Sequence, residues 1–137
     1  MELFLAKTEG IFGMELKNDH GETVALNASP EIGGEPTGFR PMQLLAGSLA
    51  GCSSIDILNI LKKQRLFPKK FEVHIKATRR ENEVPATFAI IHLVFQVSQE
   101  IDKEKIEKAA ALSIEKYCSV SKTLAPTCTI SWEVQHI

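Results

Sequence analysis

The sequence predicts an α+β domain with the element order strand, strand, strand, helix, strand, strand, helix, strand. Short apolar runs separated by Asn, Asp, Gly and Pro fill the first thirty residues, as in antiparallel strands. A long stretch without proline follows, Met42 to about Arg65, with apolar residues at helical spacing. Beyond it, alternating segments enclose one more amphipathic stretch. Segregated strands and helices of this kind pack as α+β rather than as a doubly wound sheet.

Each element has a local reason. Met1–Lys7, Ile11–Leu16 and Glu22–Leu26 read as strands, and Asn18-Asp19-His20-Gly21 between the last two is a hairpin signal. Residues 27–41 carry three Pro and three Gly and read as a long loop, of the kind that tends to be functional or mobile. Pro41 suits the first turn of a helix, where its missing N–H costs nothing, and Pro68 closes the helical stretch. About 23 residues at 1.5 Å each give roughly 35 Å of helix. Its first half is apolar or small on nearly every side, which predicts burial all round at the centre of the fold. Phe71, Val73, Ile75 and Ala77 alternate with polar residues, giving a strand with one buried face, and Thr87–Val97 reads as its hairpin partner. Asp102 is expected to cap a helix from Lys103 to about Tyr117, with Ile101 and Ile106 spaced as a hydrophobic staple. Its inner stripe would be Ile106, Ala110, Ile114 and Tyr117. After Pro126, Cys128, Ile130, Trp132 and Val134 alternate as the last strand.

Length and charge narrow the function. At 137 residues the chain suits a single domain over residues 1–137. Sixteen Lys and Arg against seventeen Asp and Glu leave a net charge of −1, so no electrostatic footprint for nucleic acid or an anionic membrane is expected. No unbroken run reaches the roughly 18 apolar residues of a spanning helix. Glu2 and the lack of a long apolar h-region make no signal peptide expected, and a cytoplasmic setting follows. No internal repeat stands out. Neither a metal site nor a cofactor site can be argued from spacing: there is no C-x-x-C, no G-x-G-x-x-G and no Walker A, and the four His are scattered. Gly47-Ser48-Leu49-Ala50-Gly51 is no nucleophile elbow, because its Ser comes one position early.

The three cysteines, Cys52, Cys118 and Cys128, are too few for a disulfide scaffold and are either core fillers or chemistry. Cys52 falls mid-helix, on a face with Leu45, Leu49, Asp56 and Asn59. Gly47, Gly51 and Ser54 form a small-residue stripe on another face, which would admit a close neighbour. A buried mid-helix thiol is the commoner reading of Cys52. Cys118 would project from the end of the second helix, where exposure suits reactivity, and Cys128 reads as core. A reactive thiol needs its thiolate stabilised. Cys52 is too deep in its helix for the dipole to help, and Asp56 one turn on would raise its pKa. An activating cation must then come from elsewhere, with Arg40, Arg79, Arg80 and Lys116 as the choices.

The run from Arg40 to Asp56, RPMQLLAGSLAGCSSID, resembles the central-helix signature of the OsmC family (osmotically inducible protein C and organic hydroperoxide resistance proteins). Glu115-Lys116-Tyr117-Cys118-Ser119-Val120 resembles its second cysteine motif, and the element order fits over nearly the whole chain. The resemblance implies an intertwined homodimer and a thiol peroxidase acting on organic hydroperoxides. Cys52 would be the peroxidatic residue and Cys118 the resolving one, with an external dithiol as reductant. Met42, Leu45, Leu49 and Tyr117 would line the substrate's apolar tail. Two positions depart from the family's peroxidases: Met42 stands where they carry Glu, and no Arg precedes Arg40. The alternative is therefore a dimeric module without peroxidase activity that binds a small apolar or electrophilic molecule. A third reading leaves both cysteines purely structural.

Overall fold

The computed structural model describes residues 1–137 and contains the expected order of strands and helices, with a 3-10 turn at Pro30–Ile32 and a short helix at Ser119–Leu124 added. Its contacts divide into two compact units, Met1–Leu45 and Ala46–Ile137. In the first unit, β1 (Leu3–Lys7), β2 (Met14–Asn18) and β3 (Thr23–Leu26) form an antiparallel sheet in chain order. The Asn18–Gly21 turn is held by Asn18 Oδ1, which accepts from the N–H groups of His20 and Glu22 at 3.0 and 2.9 Å. Leu3, Phe4 and Leu5 are consecutive and all more than half exposed, so neither face of β1 is covered in the single chain.

The loop after β3 is better ordered than its Gly and Pro content suggests. Asn27 is buried, and its Oδ1 accepts from the N–H groups of Ala28 and Glu35, while its Nδ2 donates to Thr37 Oγ1. Phe39 returns to pair with the end of β3, donating to the Ala25 carbonyl and accepting from the Asn27 N–H. A side chain that satisfies several orphan backbone groups makes such a loop a fixed piece of structure.

Helix α1 runs from Pro41 to Lys63 and carries Lys62 and Lys63 in its last turn, where they complement the helix dipole. It is the one helix long and apolar enough to cross a membrane, with a mean hydropathy of 1.6 over 18 residues, and it is the core helix of the fold. Burial all round is corrected. Only Ala46, Leu49, Ala50, Ser53, Ile57 and Leu61 are buried, a single stripe at spacings of three and four, while Ile55 and Leu58 face outward. One chain supplies cover for one side of the helix only. The small-residue stripe likewise meets nothing: a Cβ at Gly47 or Gly51 would point into open space.

In the second unit, β4 (Phe71–Arg79), β5 (Phe88–Val97) and β6 (Thr129–His136) form a sheet in that order, β4 antiparallel and β6 parallel to the central β5. Ile91, Leu93, Phe95 and Val97 are fully buried, as the period of two requires for one face of a central strand. The apolar alternation of β4 is covered only at Phe71 and Val73; Ile75 and Ala77 are exposed. Parallel pairing of neighbours in sequence demands a crossover, here built from α2 (Lys103–Leu112), a π-helical turn (Ser113–Tyr117) and α3 (Ser119–Leu124). Asp102 caps α2 by accepting from the Glu104 N–H at 3.0 Å, and Ile101 and Ile106 are both buried as the staple requires.

The π turn corrects the second helix. Its wider turn, closed by the Cys118 N–H donating to the Ser113 carbonyl at 2.8 Å, breaks the 3.6-residue stripe. Ile106, Ala109, Ala110 and Ser113 lie inside, and Tyr117, expected on the inner stripe, is more than half exposed.

Candidate functional site

The second unit brings Cys52 and Cys118 together although they are far apart in sequence. The sulfur atoms and an Asp56 carboxylate oxygen all lie within 4.8 Å of one another. Cys52 and Asp56 are one turn apart on α1 and so share a face. Cys118 reaches them because the π turn ends there and α3 begins. Its φ and ψ of −70° and 107° are those of an N-cap, and its Sγ accepts from the Ser121 N–H at 3.3 Å.

The expected exposures are reversed. Cys118 is 2% exposed, not projecting from a helix end, and Cys52 is only half-buried. The reason is that Cys118 joins two helical segments instead of terminating one. Cys128 is buried just before β6, as expected of a core thiol, and its Sγ approaches the Leu124 carbonyl at 3.6 Å.

Burial pushes the Cys52 thiol up, but three hydrogen bonds to the thiolate outweigh it: from the Val120 backbone N–H, the Cys118 thiol and the Ser119 hydroxyl. Asp56 opposes them, in the direction its charge requires, and the balance holds Cys52 below the ordinary thiol value. Ser119 Oγ stands 3.9 Å from Cys52 Sγ. Cys118 behaves in the opposite way: burial first, and then the neighbouring Cys52 sulfur, push it up to about 11. The two thiols are thus shifted in opposite directions, Cys52 the more acidic and Cys118 the less. That is the arrangement of a nucleophile beside a neutral thiol partner.

No cation is among the groups that act on Cys52. Arg40 donates to the carbonyls of Glu35 and Thr37 within the first unit. Arg79 bonds the Ala86 carbonyl, Arg80 bonds Thr87 Oγ1 and the Phe88 and Thr127 carbonyls, and Lys116 lies over the Tyr117 ring. Backbone and hydroxyl donors at the start of α3 take the place expected of a cation. No side-chain pattern marks a backbone N–H. These donors become visible only when Cys118-Ser119 is read as a helix start.

Ser113 also escaped the sequence reading. Fully buried in the π turn, it donates to Asp56 Oδ2 at 2.9 Å and fixes the carboxylate beside the thiols. Beside Asp56 opens a cavity of about 500 Å³, walled by Asn59, Ile60 and Lys63 of α1 and by Leu112 and Tyr117. Tyr117 therefore lines the cavity beside Asp56, with Lys116 Nζ over its ring. Leu49 is fully buried and has no surface to offer a substrate; Met42 and Leu45 belong to the first unit. Donor atoms able to hold a metal are those of Cys52, Asp56 and Cys118.

Residues 33–133 match the family model described as OsmC-like protein. A curated relative, Protein YhfA of Escherichia coli (strain K12), is 39% identical over 97 residues, covering 69% of this chain and 72% of that one. Among solved structures, a hypothetical protein from Aquifex aeolicus VF5 superposes with a TM-score of 0.80 at 31% identity, covering 99% of this chain and 96% of that one. The organic hydroperoxide resistance protein OhrB of Bacillus subtilis superposes with a TM-score of 0.70 at 19% identity over 98% of each chain, a likeness of fold.

Proposed function

The chain belongs to the OsmC-like protein family, and from that premise we propose that it is a cysteine-based peroxidase reducing organic hydroperoxides. The observation that carries this reading is the unequal thiol pair: Cys52 held below the ordinary thiol pKa, within 4.8 Å of a Cys118 held above it. The Cys52 thiolate attacks the terminal peroxide oxygen, the O–O bond breaks, and an alcohol leaves as its alkoxide takes up a proton. Cys52 is then a sulfenic acid. Cys118 attacks that sulfur, its thiol proton leaving with the hydroxyl as water, and a Cys52–Cys118 disulfide forms. An external dithiol returns both thiols and is itself oxidised to a disulfide. No resident cofactor enters these steps. In this proposal Tyr117 contacts the substrate's apolar part.

The same reading makes the working unit a cytoplasmic homodimer of one domain over residues 1–137. In support, the outer side of α1 and both faces of β1 are uncovered in the single chain, and Gly47 and Gly51 offer a close approach to a second copy. One equivalent of an organic hydroperoxide, added without reductant, tests the chemistry by intact mass and peptide mapping. The expected result is loss of two hydrogens with a Cys52–Cys118 crosslink; Cys118→Ser should stop at a trappable Cys52 sulfenic acid. Peroxide consumption surviving in Cys52→Ser would overturn the assignment.

A second reading is favoured by the absence of any cation acting on Cys52. In it the cavity beside Asp56 binds a small apolar or electrophilic molecule without turnover, and Cys52 captures it. Saturable binding with both thiols left free after hydroperoxide treatment would select this reading.

A further inference from the structure

We propose that Cys52, Asp56 and Cys118 form a three-ligand site for a thiophilic divalent cation, zinc(II) by class, whose binding masks both thiols. The inference goes beyond the peroxidase reading and stands without it, because it rests on the placement of three donor atoms. These lie within 4.8 Å of one another. A tetrahedral zinc, with bonds of about 2.3 Å to sulfur and 2.0–2.2 Å to oxygen, needs donors roughly 3.4–3.8 Å apart. Closing the triangle therefore asks for movements of about an ångström or less at side-chain ends.

The placement has the other marks of a ligand set. Two donors come from one helix at positions i and i+4, which present ligands on one face, and the third comes from a distant segment of the chain. The carboxylate is oriented by a further partner, since Ser113 donates to Asp56 Oδ2 at 2.9 Å, as ligating acids usually require. Cys118 is fixed in turn by the Ser121 N–H. Two sulfurs and one oxygen select a soft or borderline ion over magnesium or calcium. Three protein ligands leave a fourth position for water. The sequence hides the set because its members show no metal spacing until the π turn and α1 come together.

Binding is ligand exchange without redox change: two metal–sulfur bonds and one metal–oxygen bond to Asp56 form, waters leave the hydrated ion, and the thiol protons pass to solvent. Metal and disulfide are then mutually exclusive, because each uses both sulfurs.

The test titrates the reduced, full-length protein with zinc(II) against a chromophoric chelator, and with cadmium(II) to read the thiolate-to-metal charge-transfer absorption. The expected result is one tight equivalent with a two-thiolate absorption. Affinity should fall at least about a hundredfold in Cys52→Ser and in Cys118→Ser. It should fall about ten- to a hundredfold in Asp56→Asn and in Ser113→Ala. Wild-type protein alkylated at Cys52 repeats the first comparison in a chain already folded. Zinc binding no tighter in wild type than in that alkylated protein overturns the site, and so does an Asp56→Asn variant that binds as wild type does.

Discussion

Replacing Cys118 by alanine removes the S–H that donates to the Cys52 thiolate while leaving the Val120 and Ser119 donors in the sequence. Hydrogen bonds to charged groups contribute about 1.5–3 kcal/mol. A thiol is a weak donor and Cys52 is only half-buried, so roughly half of the lower figure up to nearly that figure applies, about 0.7–1.4 kcal/mol. At 1.36 kcal/mol per pKa unit this is about a three- to tenfold smaller thiolate population below the midpoint. The assay is the pH dependence of Cys52 alkylation by iodoacetamide, read by peptide mass so that Cys128 does not contribute. Cys118→Ala should alkylate about three- to tenfold more slowly near neutral pH, with its midpoint moved upward. Cys118→Ser keeps a donor and a good cap for α3, and should stay close to wild type. A Cys118→Ala profile that is unchanged, or moved to lower pH, would refute the account of why Cys52 is the thiolate.

Three further outcomes follow from packing and linkage. Cys118, pushed up to about 11 by burial, starts from about 9 when unfolded, so its contribution is complete below pH about 9 and is lost as pH climbs toward 11. That is on the order of 2–3 kcal/mol; the lowered pKa of Cys52 acts in the opposite sense but only below the unfolded thiol value, so urea midpoints should fall over this range in wild type and less in Cys118→Ser. Leu61→Ala empties a fully buried site on α1 and should cost about 2–5 kcal/mol in urea unfolding while leaving Cys52 alkylation unchanged. Arg80→Ala removes the bonds to Thr87 Oγ1 and to the Phe88 and Thr127 carbonyls that tie the β4–β5 turn to the segment before β6. It should cost about 1–3 kcal/mol in urea unfolding, visible also as faster alkylation of the buried Cys128 in mild denaturant.

The frame of this fold is written locally. Pro41 and Pro68 bracket α1, Asp102 with Ile101 and Ile106 starts α2, and the alternation of β4 and β5 shows their strand character in a few residues. What escaped is non-local or sits in the backbone. The π turn depends on one i→i+5 bond from Cys118 to Ser113, which no residue propensity encodes. Helix α3 is made of Ser119-Val120-Ser121-Lys122-Thr123-Leu124, mostly modest helix formers, and it exists because it is packed, not because it is inclined to. The exposures of Cys52 and Cys118 came out reversed for the same reason. Asp56 and Ser113 meet across 57 positions of chain, and the cover missing from α1 concerns surfaces that a single sequence does not display.

The parallel pairing of β5 with β6 gives the site a place in time. A hairpin such as β4–β5 closes through a short turn, whereas β6 docks only after residues 98–128 have been threaded into helices and packed. Long-range parallel pairing is slow because the loop entropy is spent before its contacts form. Both Cys118 and the α3 donors lie inside that crossover. During synthesis α1 leaves the ribosome with Cys52 well before its partner has been translated, so the early chain carries an ordinary thiol. Cys52 acquires its altered acidity only once that crossover has folded onto α1, and reactivity becomes a property of the finished fold.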